Sequence, residues 1–330
     1  MKVNFMNVGE GDMSILQIDN KIILIDVNIS SRDDEGYNKL KELSQEGIID
    51  YMIITHPHND HIKGMTIIAE DFKIGNILES GFRFQKDKEN EKDYEDYKTF
   101  INMIKAQGSK CLKASNEKID LPDSEFELYC LNSKNNEIND DSSSGIHYNC
   151  LVIKIVSKNK SILFTGDSNW KVWKEKILKD YSNMLESDIL HASHHGSRTF
   201  FMLEESEKET EHYVEHLELI EPENTIISAW TEKEKKEAGK EDFPPHEDAV
   251  EIYEELTSNE GGVYITGKDG SLLFELEEEK ILLLKDSSNK MFFKGKKQRI
   301  KKYKEIKDYK REYTDTKMID RRFGKYNEMV

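Results

Sequence analysis

His56-Pro57-His58-Asn59-Asp60-His61 puts three imidazoles and a carboxylate into six residues. That donor set suits a borderline-to-hard divalent cation such as zinc or manganese. His56 and His58 are two apart, so in an extended segment their side chains point the same way and can bind one ion. Asp60 and His61 then begin a helix and can reach a second ion, and a lone metal does not need so many donors. The alternative is a histidine-rich surface loop, but three imidazoles and an Asp packed so closely would be an electrostatic liability there.

Such a loop needs a rigid support, and the apolar run YMIIT ending at residue 55 supplies one. Before it, the runs VNFMNV, SILQID and KIILIDV predict short strands joined by hairpins, followed by a helical stretch around Asn38 to Glu46 and a crossover. Lys86 to Met103 is a polar segment leading into the helix YEDYKTFINMIKAQG. Then come FELYCL, the polar loop NSKNNEINDDSSSG, and the strands NCLVIKIV and KSILFTGD joined by the turn SKNK. A helix around Trp170 to Leu178 precedes the strand ESDILHAS, a Glu/Lys-rich helical region from Glu204 to Leu219 and the strand TIISAW. TEKEKKEAGKED reads as a charged loop, HEDAVEIYEELT as a helix, and GGVYITGKDGSLLFELE as a hairpin turning at GKDG. No GxGxxG or P-loop is present, which disfavours a nucleotide-binding doubly wound sheet. Cys111, Cys130 and Cys150 are widely spaced and read as small packed residues rather than a disulfide or thiolate site.

The 330 residues carry 48 Lys and Arg against 65 Asp and Glu, a net charge of -17. With 36% apolar and 34% charged residues the chain folds into one large domain or two ordinary ones. Residues 285–330 hold 16 Lys and Arg against 7 Asp and Glu, or +9, which leaves -26 for residues 1–284. The basic tail interleaves Lys and Arg with Tyr, a pattern that can track nucleic acid or bind a partner protein; a solvated helix explains it equally. No apolar run approaches the roughly 20 residues of a membrane span, and the first residues lack a signal-peptide pattern, so a cytoplasmic protein without membrane association is expected.

The spacing of residues 56–61 is the HxHxDH signature of the metallo-β-lactamase superfamily, which the chain resembles from its start to about residue 276. The resemblance implies an α+β fold: an αββα sandwich of two mixed sheets flanked by helices, with metals at a strand-end edge. Residues 1–276 would form the hydrolase domain and 277–330 a basic, helical C-terminal extension. Two divalent metal ions, zinc or manganese, would be the cofactors. In this reading Asp26 of LIDVN supports the metal loop from behind, and Asp167 of FTGD bridges two metals. One of His194 and His195 in SHHGS binds the second metal while the other orients substrate or water. His147 stands close to the family's third ligand histidine, and a polar loop residue is the alternative for it. His191 reads as a buried hydrogen-bonded histidine, and His212 and His216 as exposed residues of a charged helix.

The VGEGD turn with Gly9, Gly11 and Asp12, then SHHGS, then PPHED with His246 together resemble the metal-hydrolase domain of ComEC-type competence proteins and their soluble relatives. Here His246 follows two prolines, where that group more often has Gly before and Pro after, and capping of the following helix is its other reading. The resemblance implies a two-metal phosphodiesterase or nuclease using a metal-activated hydroxide on DNA or RNA. Asp60 would orient the hydroxide, His246 or the spare histidine of His194 and His195 would protonate the leaving oxygen, and Ser197 and Arg198 would hold a phosphate oxygen. β-Lactamase activity is disfavoured because Asp, not Cys, stands at position 167. The competing classes are a small-molecule hydrolase, acting on a cyclic nucleotide, a phosphorylcholine-type ester or a lactone, and a non-catalytic binding module. The -26 body favours the small molecule, and the intact donor set disfavours the module.

Overall fold

The computed structural model describes residues 1–294 except 45, 82–90, 116, 122–123, 134–142, 202–211 and 286–288. One compact unit spans Met1–Phe293. The basic tail of residues 295–330 lies outside the described residues.

Among the described residues, sixteen strands form two sheets. The first contains β1 (Lys2–Phe5), β2 (Ser14–Ile18), β3 (Lys21–Ile25), β4 (Ile48–Ile54), β5 (Lys73–Glu79) and β6 (Lys110–Leu112). The second holds β7 (Lys118–Ile119), β8 (Glu127–Asn132), β9 (Val152–Ser157), β10 (Lys160–Phe164), β11 (Ile189–His191), β12 (Asn224–Ile227) and β13 (Gly262–Ile265). The chain then returns to the first sheet with β14 (Leu272–Leu276), β15 (Lys280–Lys285) and β16 (Asn289–Lys294), so that sheet continues past residue 276. The orders are β16-β15-β14-β1-β2-β3-β4-β5-β6 and β13-β12-β11-β10-β9-β8-β7. Each sheet is mixed: β14-β1-β2-β3 is antiparallel and β3-β4-β5-β6 parallel, while β7 to β10 is antiparallel and β10 to β13 parallel.

The tight connections have a local cause. Asp19-Asn20 and Lys158-Asn159 both sit at positive φ, 50° then 64°, as two-residue turns matched to strand twist require. Strand patterning then sets the layers. Ile23, Ile25, Tyr51 and Ile53 face Leu128, Ile153, Ile155, Ile162 and Phe164 across the sheets. The alternate residues Ile22, Leu24, Met52 and Ile54 pack outward on Leu40, Ile68, Phe100 and Ile104 of the helices Glu35–Leu43, Met65–Asp71 and Glu91–Ala106. The outer face of the second sheet packs on Trp173, Phe200, Leu217 and Tyr253. Both faces of both sheets are covered, so the central strands read as continuous apolar runs. This is the α+β, αββα metallo-β-lactamase fold. No helix among the described residues is long and apolar enough to cross a membrane.

Four local expectations change. Residues 262–276 are not a hairpin: β13 pairs in parallel with β12, β14 pairs with β1, and a helical turn, Thr266–Asp269, crosses between the sheets. That turn is anchored by Ala229 N donating to Thr266 Oγ1, and alternating apolar residues alone do not say which sheet a strand joins. The charged segment after Thr231 is a helix, Glu232–Ala238, started by a Thr231/Glu234 capping box and stopped by Gly239 at φ 66°. Cys111 is exposed while Cys130 and Cys150 are buried.

The fourth concerns His216, which is fully buried, with ring centroids 4.1 Å from Phe200, 5.0 Å from Tyr213 and 5.5 Å from Trp173. Burial pushes its pKa down to about 3. Between its ordinary value and that value the unfolded chain binds a proton that the folded chain refuses, so this stability contribution is present at neutral pH and lost on acidification. Replacing it removes the linkage. Measured by urea unfolding in chelator, the stability difference between His216→Leu and the parent should move by about 2 kcal/mol in the variant's favour from pH 7 to pH 5. A pH-independent difference would show that His216 is charged, or solvated, in the fold.

Candidate metal centre

β4 ends at Ile54, and the backbone leaves it as Thr55-His56 before the short helix Asn59–Ile62. His58 is that helix's extended N-cap, which turns its ring back beside His56 while Asp60 and His61 enter the helix. His147 arrives from the opposite sheet, on the helix Ser143–Tyr148 rather than in a loop. Asp167 follows β10 through Gly166, at φ 47°; a Cβ there would come 2.4 Å from Cys150 Sγ. His194 and His195 hold positive φ, 48° and 55°, between β11 and the next turn, a strained conformation that splays their adjacent rings.

These residues converge in two clusters sharing one carboxylate: His56, His58, His147 and Asp167, and Asp60, His61, Asp167 and His195. In the first, His56 Nε2 lies 3.0 Å from His58 Nδ1, which is 3.2 Å from His147 Nε2, and Asp167 Oδ2 is 3.5 and 3.6 Å from the outer two nitrogens. A tetrahedral site with bonds near 2.0–2.1 Å separates its ligand atoms by about 3.3 Å, so the spacing fits a bound cation. In the second, His61 Nε2 is 3.1 Å from Asp167 Oδ1, and His195 Nε2 is 3.1 Å from Asp60 Oδ2. Neither His61 Nε2 nor Asp167 Oδ1, both buried, makes a hydrogen bond among the described residues. Buried polar atoms left in this way are aimed at something other than the protein.

The electrostatics agree. Burial pushes His56 down to about 3 and His147 well below the usual histidine value, which leaves neutral imidazoles with lone pairs to donate. Burial opposes charge on His61 and His195 too, but Asp167 and Asp60 outweigh it, raising His61 far above its ordinary value and His195 to about 10. Burial would likewise raise Asp60 and Asp167, yet His61 and its neighbours hold both below the usual carboxylate range. The second cluster therefore demands positive charge, which protons satisfy in the protein alone and a divalent cation would satisfy better.

A family model described as the metallo-beta-lactamase superfamily matches residues 6–132, a span that includes His56, His58, Asp60 and His61. Over those residues the chain is similar to that superfamily. The metallo-beta-lactamase fold protein YhfI from Bacillus subtilis is similar at 13% identity over 80% of this chain and 96% of that one, with a TM-score of 0.48. Igni18, a metallo hydrolase from Ignicoccus hospitalis, is similar at 14% over 84% of this chain and 100% of that one, TM-score 0.44. Human tRNase Z, short form, is similar at 14% over 71% of this chain and 94% of that one, TM-score 0.39. No curated protein matches the sequence.

Behind these candidate ligands lies a layer of hydrogen bonds. Asp26, at φ 52°, accepts from Thr55 N (2.7 Å), Thr55 Oγ1 (2.6 Å) and His61 Nδ1 (2.8 Å). Asp12, the last residue of the VGEGD turn, lies 3.6 to 3.7 Å from His61, His191 and His195. His195 Nδ1 donates to Ser228 O (2.9 Å), which turns Nε2 toward Asp60, and His191, buried as expected, bonds Ser228 Oγ (3.0 Å). His194 Nδ1 meets Thr199 Oγ1 at 2.9 Å.

Three of the candidate residues also have partners within the fold. His246 turns Nδ1 to accept from Arg198 N, in the loop carrying His194 and His195, and Nε2 to donate to Asp242 O of its own loop. The Arg198 Nε donates to both Asp248 carboxylate oxygens, at 2.9 and 2.7 Å, and Ser197 Oγ accepts from Thr199 N and Thr199 Oγ1. These contacts brace the loop carrying His194 and His195. Sequence reasoning missed Thr55, Thr199 and Ser228. Thr55 alone had a local signal, since it links the strand to His56 and ligand histidines need an outer hydrogen-bond partner.

Proposed function

We propose that this domain is a two-metal phosphodiesterase of the ComEC-like branch, acting on nucleotide phosphodiesters such as DNA or RNA. What carries the reading is Asp167, whose two oxygens each face a different histidine cluster, so one carboxylate could serve two cations. The ligands for the two would be His56, His58, His147 and Asp167, and Asp60, His61, Asp167 and His195. Cations held there would supply Lewis acidity to the phosphoryl oxygens and the attacking water.

The chain's own groups do the rest. Asp60 and Asp26 keep His61 and His195 in register, and Thr55 ties Asp26 to the strand. With Nδ1 spent on Thr199, His194 presents Nε2 3.7 Å from Asp167 Oδ2, its side chain about a quarter exposed. It is the group placed to take the water's proton as the oxygen attacks phosphorus and to return it to the alkoxide when the P–O bond breaks.

Metal analysis of the purified protein coupled to a substrate panel tests this. Manganese- or zinc-dependent cleavage of bis(p-nitrophenyl) phosphate and of DNA or RNA is the expected result. Hydrolysis of a lactone or carboxylic ester with every phosphodiester left uncut would overturn it.

A further inference from the structure

A cleft of about 570 Å³ opens beside the metal clusters, with Asp60 in its lining. That volume lies in the range of small-molecule sites. Because Asp60 belongs to both, a group in the cleft can be a substituent of whatever reacts at the clusters.

One wall is aromatic. Trp230 and Phe243 line it, and Lys240 Nζ sits 5.3 and 4.3 Å from their ring centroids. The wall is constructed, not incidental. Gly9, at φ 78°, leaves room for the indole: a Cβ there would come 2.4 Å from Trp230 Nε1. The loop bearing Phe243 is tied down by the buried Lys235, whose ammonium donates to Phe243 O at 3.2 Å and Pro245 O at 3.1 Å. Phe243 nonetheless stays 41% exposed, one of two large apolar side chains so exposed among the described residues. The remaining lining is polar, with Glu10, Asp34 and Glu35 among its acids.

We propose that this cleft receives the nucleobase of the phosphodiester substrate, stacked against Trp230 and Phe243. The inference rests on the phosphodiesterase reading for the position of the phosphorus. Charge selects the occupant. Three carboxylates besides Asp60, against Lys63 and Lys240, repel a second phosphate, so the cleft takes the uncharged part of the ester. An organic cation is disfavoured because Lys240 already holds an ammonium against both rings, with Glu10 at 4.0 Å as its counter-charge. A flat neutral ring with a polar edge meets both demands: aromatic faces on one side, and carboxylates and amides on the other.

The test has a binding arm and a kinetic arm. Thymidine, which carries no phosphate, should quench the tryptophan fluorescence of the metal-loaded protein saturably, and Phe243→Ala should weaken its apparent affinity by roughly 5- to 50-fold. In the kinetic arm, the ratio of kcat/KM for thymidine 5′-(p-nitrophenyl) phosphate to that for methyl p-nitrophenyl phosphate should fall by roughly 10- to 100-fold in Trp230→Ala. An unchanged ratio overturns the proposal, and so does quenching by choline in place of thymidine. Thymidine binding that Phe243→Ala weakens, with neither phosphodiester cut, supports the cleft assignment and sinks the phosphodiesterase reading instead.

Discussion

Asp167→Ala is expected to lose both cations at once. Each oxygen of this carboxylate faces a separate histidine cluster, so its removal takes one donor from each and leaves the histidines without the charge that holds the ions against mutual repulsion. Elemental analysis should show metal content falling from about two equivalents to a small fraction of one, and phosphodiester hydrolysis should drop on the order of 10³-fold or more, because several kcal/mol of transition-state stabilisation go with the ions. His147→Ala is the control, since it removes a donor from the first cluster alone and should spare the second ion. Equal loss in the two variants would mean that the clusters do not act as separate sites, and two ions retained in Asp167→Ala would remove this carboxylate from the centre.

Asp26→Ala should be the most destabilising change outside the ligand set. The fully buried carboxylate accepts three hydrogen bonds, two from Thr55 and one from His61. Truncation leaves three buried donors without an acceptor, and a loss on the order of 3–5 kcal/mol follows from breaking one side of such a network. Metal affinity should fall roughly 10- to 100-fold, since the shortest hydrogen bond orienting His61 is then gone. Asp26→Asn should lie between: Asn tolerates the positive φ and its carbonyl still accepts, but its amide turns a donor toward Thr55 Oγ1 or His61. Urea unfolding of metal-free protein measures the first effect and competition titration with a chelating dye the second. If Asp26→Ala unfolds at the parent's urea concentration, the hydrogen bonds drawn to Asp26 do not support this fold.

The residues of the centre were legible where their geometry is local. His56 through His61 sit at one strand end, so six residues of sequence contain four of the donors, and Asp167 follows directly on the strand Lys160–Phe164. Thr199 and Ser228 were not legible, because a hydroxyl or carbonyl acquires its histidine through the packing of segments 5 to 33 residues apart. Arg198 and His246 have partners that the sequence does not reveal: Arg198 Nε donates to Asp248, and His246 pairs with the backbone of Arg198 and Asp242. His216 sits amid glutamates in the sequence, yet the side of its helix that it occupies is turned into the aromatic core. Residues 262–276 show the same limit for strands, since alternation reveals that a segment is half-buried but not which neighbour it will have.

The pairing of Lys2–Phe5 with Leu272–Leu276 joins segments some 270 residues apart, with Lys2 opposite Glu275. On a ribosome the first strand emerges long before its second neighbour exists, and one edge of the sheet stays unsatisfied until almost all of this domain is made. Both cation positions are also unfinished until His195 has been synthesised and the two sheets have closed. Any metal loading at these clusters would thus come late in the life of the chain, and truncated products ending before residue 272 should be open-edged and prone to self-association.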